Sequence, residues 1–111
     1  MDQVAIDVTV REVKNLLDTK AEFLLLDCRT PAEYAVAKIA QAVLIPLQEL
    51  PQRLPEIAAW REKRVVVHCH HGGRSLQVTQ WLRGNGFDRV QNMVGGIDAW
   101  SEEIDAGVPR Y

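Results

Sequence analysis

Cysteine is scarce in this sequence: Cys28 and Cys69 are the only two among 111 residues. That is too few for the disulfide framework that staples a small secreted domain, and the spacing is not that of a zinc site. A basic excess is missing as well. The 13 Lys and Arg against 15 Asp and Glu leave a formal net charge of -2, so the chain lacks the basic surface with which a general nucleic-acid binder neutralises phosphates. No stretch approaches the roughly 18 apolar residues of a membrane span. The opening MDQVAIDVTV has neither the charged start nor the apolar centre of a secretion signal. These absences point to a cytoplasmic protein with neither membrane nor nucleic acid among its partners. Repeats, low-complexity tracts and linkers are also missing, so one domain over residues 1–111 is expected.

What is present is the balance of an ordinary globular chain, 47% hydrophobic and 25% charged, at a length that buries about two-thirds of the unfolded surface. Phe23-Leu24-Leu25-Leu26-Asp27 and Arg64-Val65-Val66-Val67-His68 read as strands, because short apolar runs ended by polar residues suit a parallel sheet covered on both faces. Ala42-Val43-Leu44-Ile45, stopped by Pro46, reads as a third, Arg89 to Met93 as a fourth and Val4-Ala5-Ile6 as a fifth. Thr9 and Glu12 make a capping-box pair ahead of Val10, Val13, Leu16 and Leu17, which predicts a helix to about Lys20. Further helices are predicted from Pro31, in short pieces over 47–60 broken by Pro51 and Pro55, from Ser75 to Gly84, and over 97–104. Trp81 and Trp100 fall at helical spacing among aliphatic residues and are expected in the core. Strands alternating with helices define an α/β fold with a mainly parallel central sheet and helices on both faces.

Chemistry concentrates where the second long apolar strand ends, at Cys69-His70-His71-Gly72-Gly73-Arg74-Ser75. Ligands of parallel sheets bind outside the carboxyl ends of the strands, and the helix that follows supplies unpaired N–H groups and a positive dipole end. Gly72 and Gly73 let the loop curl until successive N–H groups converge on one point. A cysteine at the floor of such a nest has its thiolate stabilised, and the thiolate is the nucleophile. A helix terminus alone supplies up to about 2 kcal/mol, so loop N–H groups, Arg74 and the histidines are expected to add to it. The same donors suit a persulfide, whose outer sulfur is also anionic.

In its cysteine-to-arginine loop of four intervening residues, Cys69-His70-His71-Gly72-Gly73-Arg74, the chain resembles single-domain rhodanese-like sulfurtransferases. Two further stretches are similar to that family's early and late signatures: Leu25-Leu26-Asp27-Cys28-Arg29-Thr30-Pro31-Ala32-Glu33-Tyr34 and Asn92-Met93-Val94-Gly95-Gly96-Ile97-Asp98-Ala99-Trp100. The resemblance implies a rhodanese-like fold and ping-pong transfer of sulfane sulfur through a persulfide on Cys69. The donor would be thiosulfate or another persulfide, and the acceptor cyanide, a small thiol or a partner protein. No cofactor and no metal is implied. One stretch departs from the family pattern: Ala37-Lys38-Ile39-Ala40-Gln41-Ala42 stands where the family has a glycine- and proline-containing turn.

Within this reading Cys69 is the nucleophile, and His70, His71, Gly72, Gly73, Arg74 and Ser75 form the substrate-binding loop, with the Arg74 fork suited to thiosulfate-like anions. Asp27, Arg29 and Glu33 are expected as an ion-pair cluster fixing the early turn. Cys28 stands on the same sheet edge as Cys69, either as a packed thiol or as a resolving one. Two other activities compete: a non-catalytic rhodanese-like binding module, and a cysteine-dependent phosphatase or arsenate reductase. The phosphatases resembled in fold have five residues between cysteine and arginine, and the four here make a tighter pocket.

Overall fold

The computed structural model describes residues 4–111. The two long apolar runs become β2 (Phe23–Asp27) and β4 (Arg64–His68), paired in parallel with Leu24 opposite Val65 and Leu26 opposite Val67. With β1 (Asp7–Val8), β3 (Val43–Leu44) and β5 (Arg89–Met93) they make a five-stranded parallel sheet in the order β1-β5-β4-β2-β3. This is an α/β protein. Burial on both faces explains the continuous apolar lettering of β2 and β4. Leu24, Leu26, Val65 and Val67 pack on one face with Val78 and Leu82, and Leu25 and Val66 pack on the other with Val13, Ile97 and Trp100.

The helices stand where local chemistry starts them. Thr9 accepts from the Glu12 N–H, and the Glu12 carboxylate returns to the Thr9 N–H, opening α1 (Val10–Asp18). Thr30 and Glu33 repeat this box at the start of α2 (Pro31–Val36), with proline in the first turn. Pro51 and Pro55 break the next stretch into a 3-10 turn (Leu47–Glu49), α3 (Leu50–Arg53) and a second 3-10 piece (Leu54–Trp60). Two longer helices follow β4 and β5: α4 (Gly73–Arg83) and α5 (Gly96–Glu103). Among the described residues no helix is long and apolar enough to cross a membrane.

The structure corrects several expectations. The edge strand lies at Asp7–Val8 rather than Val4–Ile6, because Val8 is the residue that packs into the core beside Met93. The Val4 and Ala5 carbonyls instead receive the side chains of Arg83 and Gln91. Helix α4 begins at Gly73, two residues before Ser75. Trp100 is buried, but Trp81 is 36% exposed: the inward positions of α4 belong to Ser75, Val78, Thr79 and Leu82, and Trp81 falls on the rim of that stripe. The unusual Ala37–Ala42 stretch closes with an Ala42 N–H to Ile39 carbonyl bond of 3.0 Å. Its backbone needs no positive φ, so alanine and glutamine serve where the family has glycine and proline.

Candidate active site

Cys69 stands one residue beyond β4, with β2 and β5 on either side of that strand. The chain turns back at Gly72, whose φ of +118° suits glycine, and α4 starts at once with no side-chain cap. The N–H of the cap residue and one N–H of the first turn go to sulfur instead. The Gly72 N–H donates to Cys69 Sγ at 3.1 Å and the Ser75 N–H at 3.4 Å, with Ser75 Oγ 3.3 Å away. Ser75 is the third residue of the helix, so the cysteine sulfur takes the place that an N-cap oxygen fills elsewhere.

The electrostatics of Cys69 are a contest. Burial, with the residue only 1% exposed, works to raise its pKa, but the Ser75 hydroxyl and the N–H groups of Ser75, Gly72 and Arg74 together outweigh it and hold the thiol below its ordinary value. The Ser75 hydroxyl also approaches the Gly72 carbonyl and the Asn92 amide oxygen. With one proton to give, it serves one acceptor at a time.

The loop rests on the start of α5. The Ile97 and Asp98 N–H groups donate to the Cys69 and His70 carbonyls at 2.9 and 3.1 Å. This contact requires a glycine at position 96: a Cβ there would fall 2.6 Å from the Cys69 carbonyl oxygen and closer still to that of His70.

Arg74 turns outward from the loop to Glu33, with Nη1 to Oε1 at 2.7 Å and Nη2 to Oε2 at 2.9 Å. The Arg74 guanidinium holds the Glu33 carboxyl well below the usual carboxylate range. The early-turn residues therefore split. Asp27 and Arg29 form a fully buried pair, Nη2 to Oδ2 at 2.6 Å, while Glu33 belongs to the loop arginine. Beside Arg74, a cleft of about 230 Å³ is bounded by Cys28, Pro46, Leu47 and Gln77. It adjoins an apolar groove that shares Leu47 and Gln77 with it and ends at Trp81.

The histidines do not reach the sulfur. His70 is stacked between His71 and Tyr111, with ring centroids 3.9 Å apart on either side, and His71 Nε2 lies 3.9 Å from Asp98. His70, His71 and Asp98 offer ligand atoms within 4.8 Å of one another. The two imidazoles are engaged in stacking, and Asp98 is held by Arg110 at 2.9 and 3.2 Å. The cluster is one of stacking and ion pairing. Cys28, meanwhile, donates its thiol hydrogen toward the His68 carbonyl at 3.5 Å, and burial pushes its pKa up to about 12.

Sequence reasoning did not single out Asn92, Gly96, Asp98 or Tyr111 as site neighbours. The first three lie in the late signature, whose loop contacts only the tertiary structure brings about. Tyr111 carries no local signal at all.

A parallel α/β sheet whose middle strand ends in a helix-capping cysteine defines the class as a cysteine-loop α/β protein. Comparison with known proteins narrows it: the family model for the rhodanese-like domain matches residues 9–103, and the chain belongs to that sulfurtransferase family. It is 41% identical over 88 residues to a sulfurtransferase of Allochromatium vinosum, covering 79% of each. It is 34% identical over 109 residues to the adenylyltransferase and sulfurtransferase MOCS3-2 of Zea mays. That match covers 94% of this chain but 23% of the maize protein, and a rhodanese-like/PpiC domain-containing chloroplastic protein of Arabidopsis thaliana is likewise covered over only 37%. Among solved structures, a rhodanese-like domain protein from Staphylococcus aureus has a TM-score of 0.81 at 30% identity, with 96% of this chain and 99% of that one covered. The human single-domain sulfurtransferase TSTD1 has a TM-score of 0.79 at 28% identity, covering 90% and 98%.

Proposed function

We propose that the chain moves sulfane sulfur from an anionic donor, such as thiosulfate or a persulfide, to a thiophilic acceptor through a persulfide on Cys69. The observation that carries this reading is the sulfur's own coordination, with Gly72 and Ser75 N–H groups aimed at Cys69 Sγ from the uncapped start of α4. In the first half-reaction the Cys69 thiolate attacks the outer sulfur of thiosulfate. A new S–S bond forms, the old one breaks, and sulfite leaves with the electron pair. In the second, cyanide or a thiolate takes the outer sulfur and returns Cys69 as thiolate. The Gly72 and Ser75 N–H groups stabilise the thiolate that attacks in the first half and departs in the second.

Arg74 faces the cleft beside Cys28 and recruits the anionic donor, its charge kept in place by Glu33. Gly72 and Gly73 provide the turn, His70 and His71 form the outer wall of the loop, and Asp27 with Arg29 holds the early turn from inside. Residues 1–111 act as one such domain with no cofactor or metal. The setting we assign is cytosolic, with small donors and acceptors or a partner protein carrying a thiol.

The test is intact mass after exposure to thiosulfate. A gain of about 32 mass units (one sulfur), removed by cyanide with release of thiocyanate and missing in Cys69→Ser, is the expected result. Failure of Cys69 to take sulfur from thiosulfate or from a persulfide donor would overturn the reading in favour of a non-catalytic module.

A further inference from the structure

One residue outside the loop touches both the first loop histidine and the carboxylate that holds the loop arginine. The segment after α5 turns at Asp105–Val108, is latched by Arg110 to Asp98, and delivers Tyr111 to the early turn. There the Tyr111 hydroxyl accepts from Arg29 Nη1 at 2.9 Å and donates to Glu33 Oε2 at 2.8 Å. The same Glu33 oxygen receives Arg74 Nη2. On the other side, the tyrosine ring lies flat on His70, with an interplanar angle of 7°, and His70 is the residue next to Cys69.

We propose that Tyr111 is a positioning residue for sulfur transfer, fixing the Glu33 carboxylate, and through it the Arg74 guanidinium, in the pose that receives an anionic donor. The inference rests on the sulfur-transfer reading and extends it to a side chain that never contacts the sulfur. Glu33 already takes the Thr30 N–H and hydroxyl and both Arg74 nitrogens. Thr30 holds Oε1, Arg74 spans both oxygens, and the tyrosine hydroxyl is the further partner of Oε2. That hydroxyl lies between a buried cation and a carboxylate, so it accepts from the first and donates to the second, an arrangement with one sense only. Without that hydroxyl Oε2 loses a partner and the Glu33 carboxylate is held by the Thr30 box at Oε1 alone, so the bidentate Arg74 fork shifts with it. The stack on His70 holds the beginning of the loop in the same way.

Tyr111→Phe separates the two contacts, since it keeps the ring and removes the hydroxyl. The thiosulfate concentration for half-maximal loading of Cys69 should rise about three- to tenfold, while the loading rate at saturation stays within about twofold, as expected for a change in ground-state binding. A second readout does not depend on sulfur chemistry: the rate of Cys69 alkylation by anionic iodoacetate divided by that for neutral iodoacetamide. A correctly aimed Arg74 raises this ratio, and Tyr111→Phe should lower it by a similar factor. Tyr111→Ala, which also removes the stack, should lower both the ratio and the saturated rate. An unchanged ratio and half-saturation in Tyr111→Phe would overturn the proposal, as would losses that merely track the unfolded fraction measured by circular dichroism. Wild-type protein that takes no sulfur yet shows the ratio and its loss would sink the sulfur-transfer reading and leave the positioning role standing.

Discussion

Cys28 and Cys69 occupy matching places: each stands one residue past the end of a central strand, on adjacent strands in register, and each is almost wholly buried. Both pack in the same apolar cluster. Their thiols are nevertheless driven in opposite directions, Cys28 up to about 12 and Cys69 below its ordinary value. The difference lies in who caps the following helix. After Cys28, Thr30 receives the Glu33 N–H at 3.2 Å, so α2 has satisfied its own donors and the Cys28 thiol is left giving a hydrogen to a carbonyl. After Cys69, glycine at the cap position has no side chain to offer, and sulfur receives its N–H and that of Ser75 in the first turn of α4. A buried thiol is pulled toward its thiolate here because the helix beside it is left without a side-chain cap.

Removing the support of the loop should break the contrast most severely. Gly96→Ala pushes a methyl group into the Cys69 and His70 carbonyls, and a displacement of that size should lower sulfur loading by about 100-fold, read by intact mass against time. Next comes pH. Alkylation of Cys69 should turn on below the midpoint of an ordinary thiol, about 8.5, whereas Cys28 should stay inert until near pH 12, a contrast mass mapping of alkylated peptides would resolve. Because folding lowers the Cys69 pKa, its thiolate stabilises the native state fully above about pH 8.5, and that share is lost as pH falls through the folded value. Denaturant titrations of wild type and Cys69→Ser should diverge over that window.

Smaller effects sharpen the comparison. Ser75→Ala removes a hydroxyl donor to Cys69 and keeps the backbone one, so alkylation near pH 7 should slow about tenfold. Cys28→Ser should change sulfur loading by less than about twofold, since a surface-free packing thiol contributes little beyond its volume. A loss as large as that of Ser75→Ala would show that Cys28 takes part in the chemistry.

Most of the fold was legible because it is written locally. The runs Leu24 to Leu26 and Val65 to Val67 are apolar without alternation, and the pairs Thr9–Glu12 and Thr30–Glu33 are capping boxes that need no tertiary help. The loop from Cys69 to Arg74 was equally visible, since a cysteine followed by paired glycines and an arginine departs from any packing pattern. The remainder was hidden by distance along the chain. Glu33 reads as a partner for its neighbours Asp27 and Arg29, yet 41 residues of separation close in space to give it to Arg74. Tyr111 meets Arg29 across 82 residues. Trp81 departs from its sequence pattern for a different reason: helical spacing marks a stripe but not its edges, and a large ring on the rim can face a groove.

The placement of β4 between two hydrogen-bonded neighbours bears on how the protein spends its time between turnovers. Amides in such a strand exchange with solvent only when the whole sheet opens, so the strand that presents Cys69 belongs to the most protected cooperative unit of the molecule. The strand end that carries Cys69 is thus ordered once, during folding.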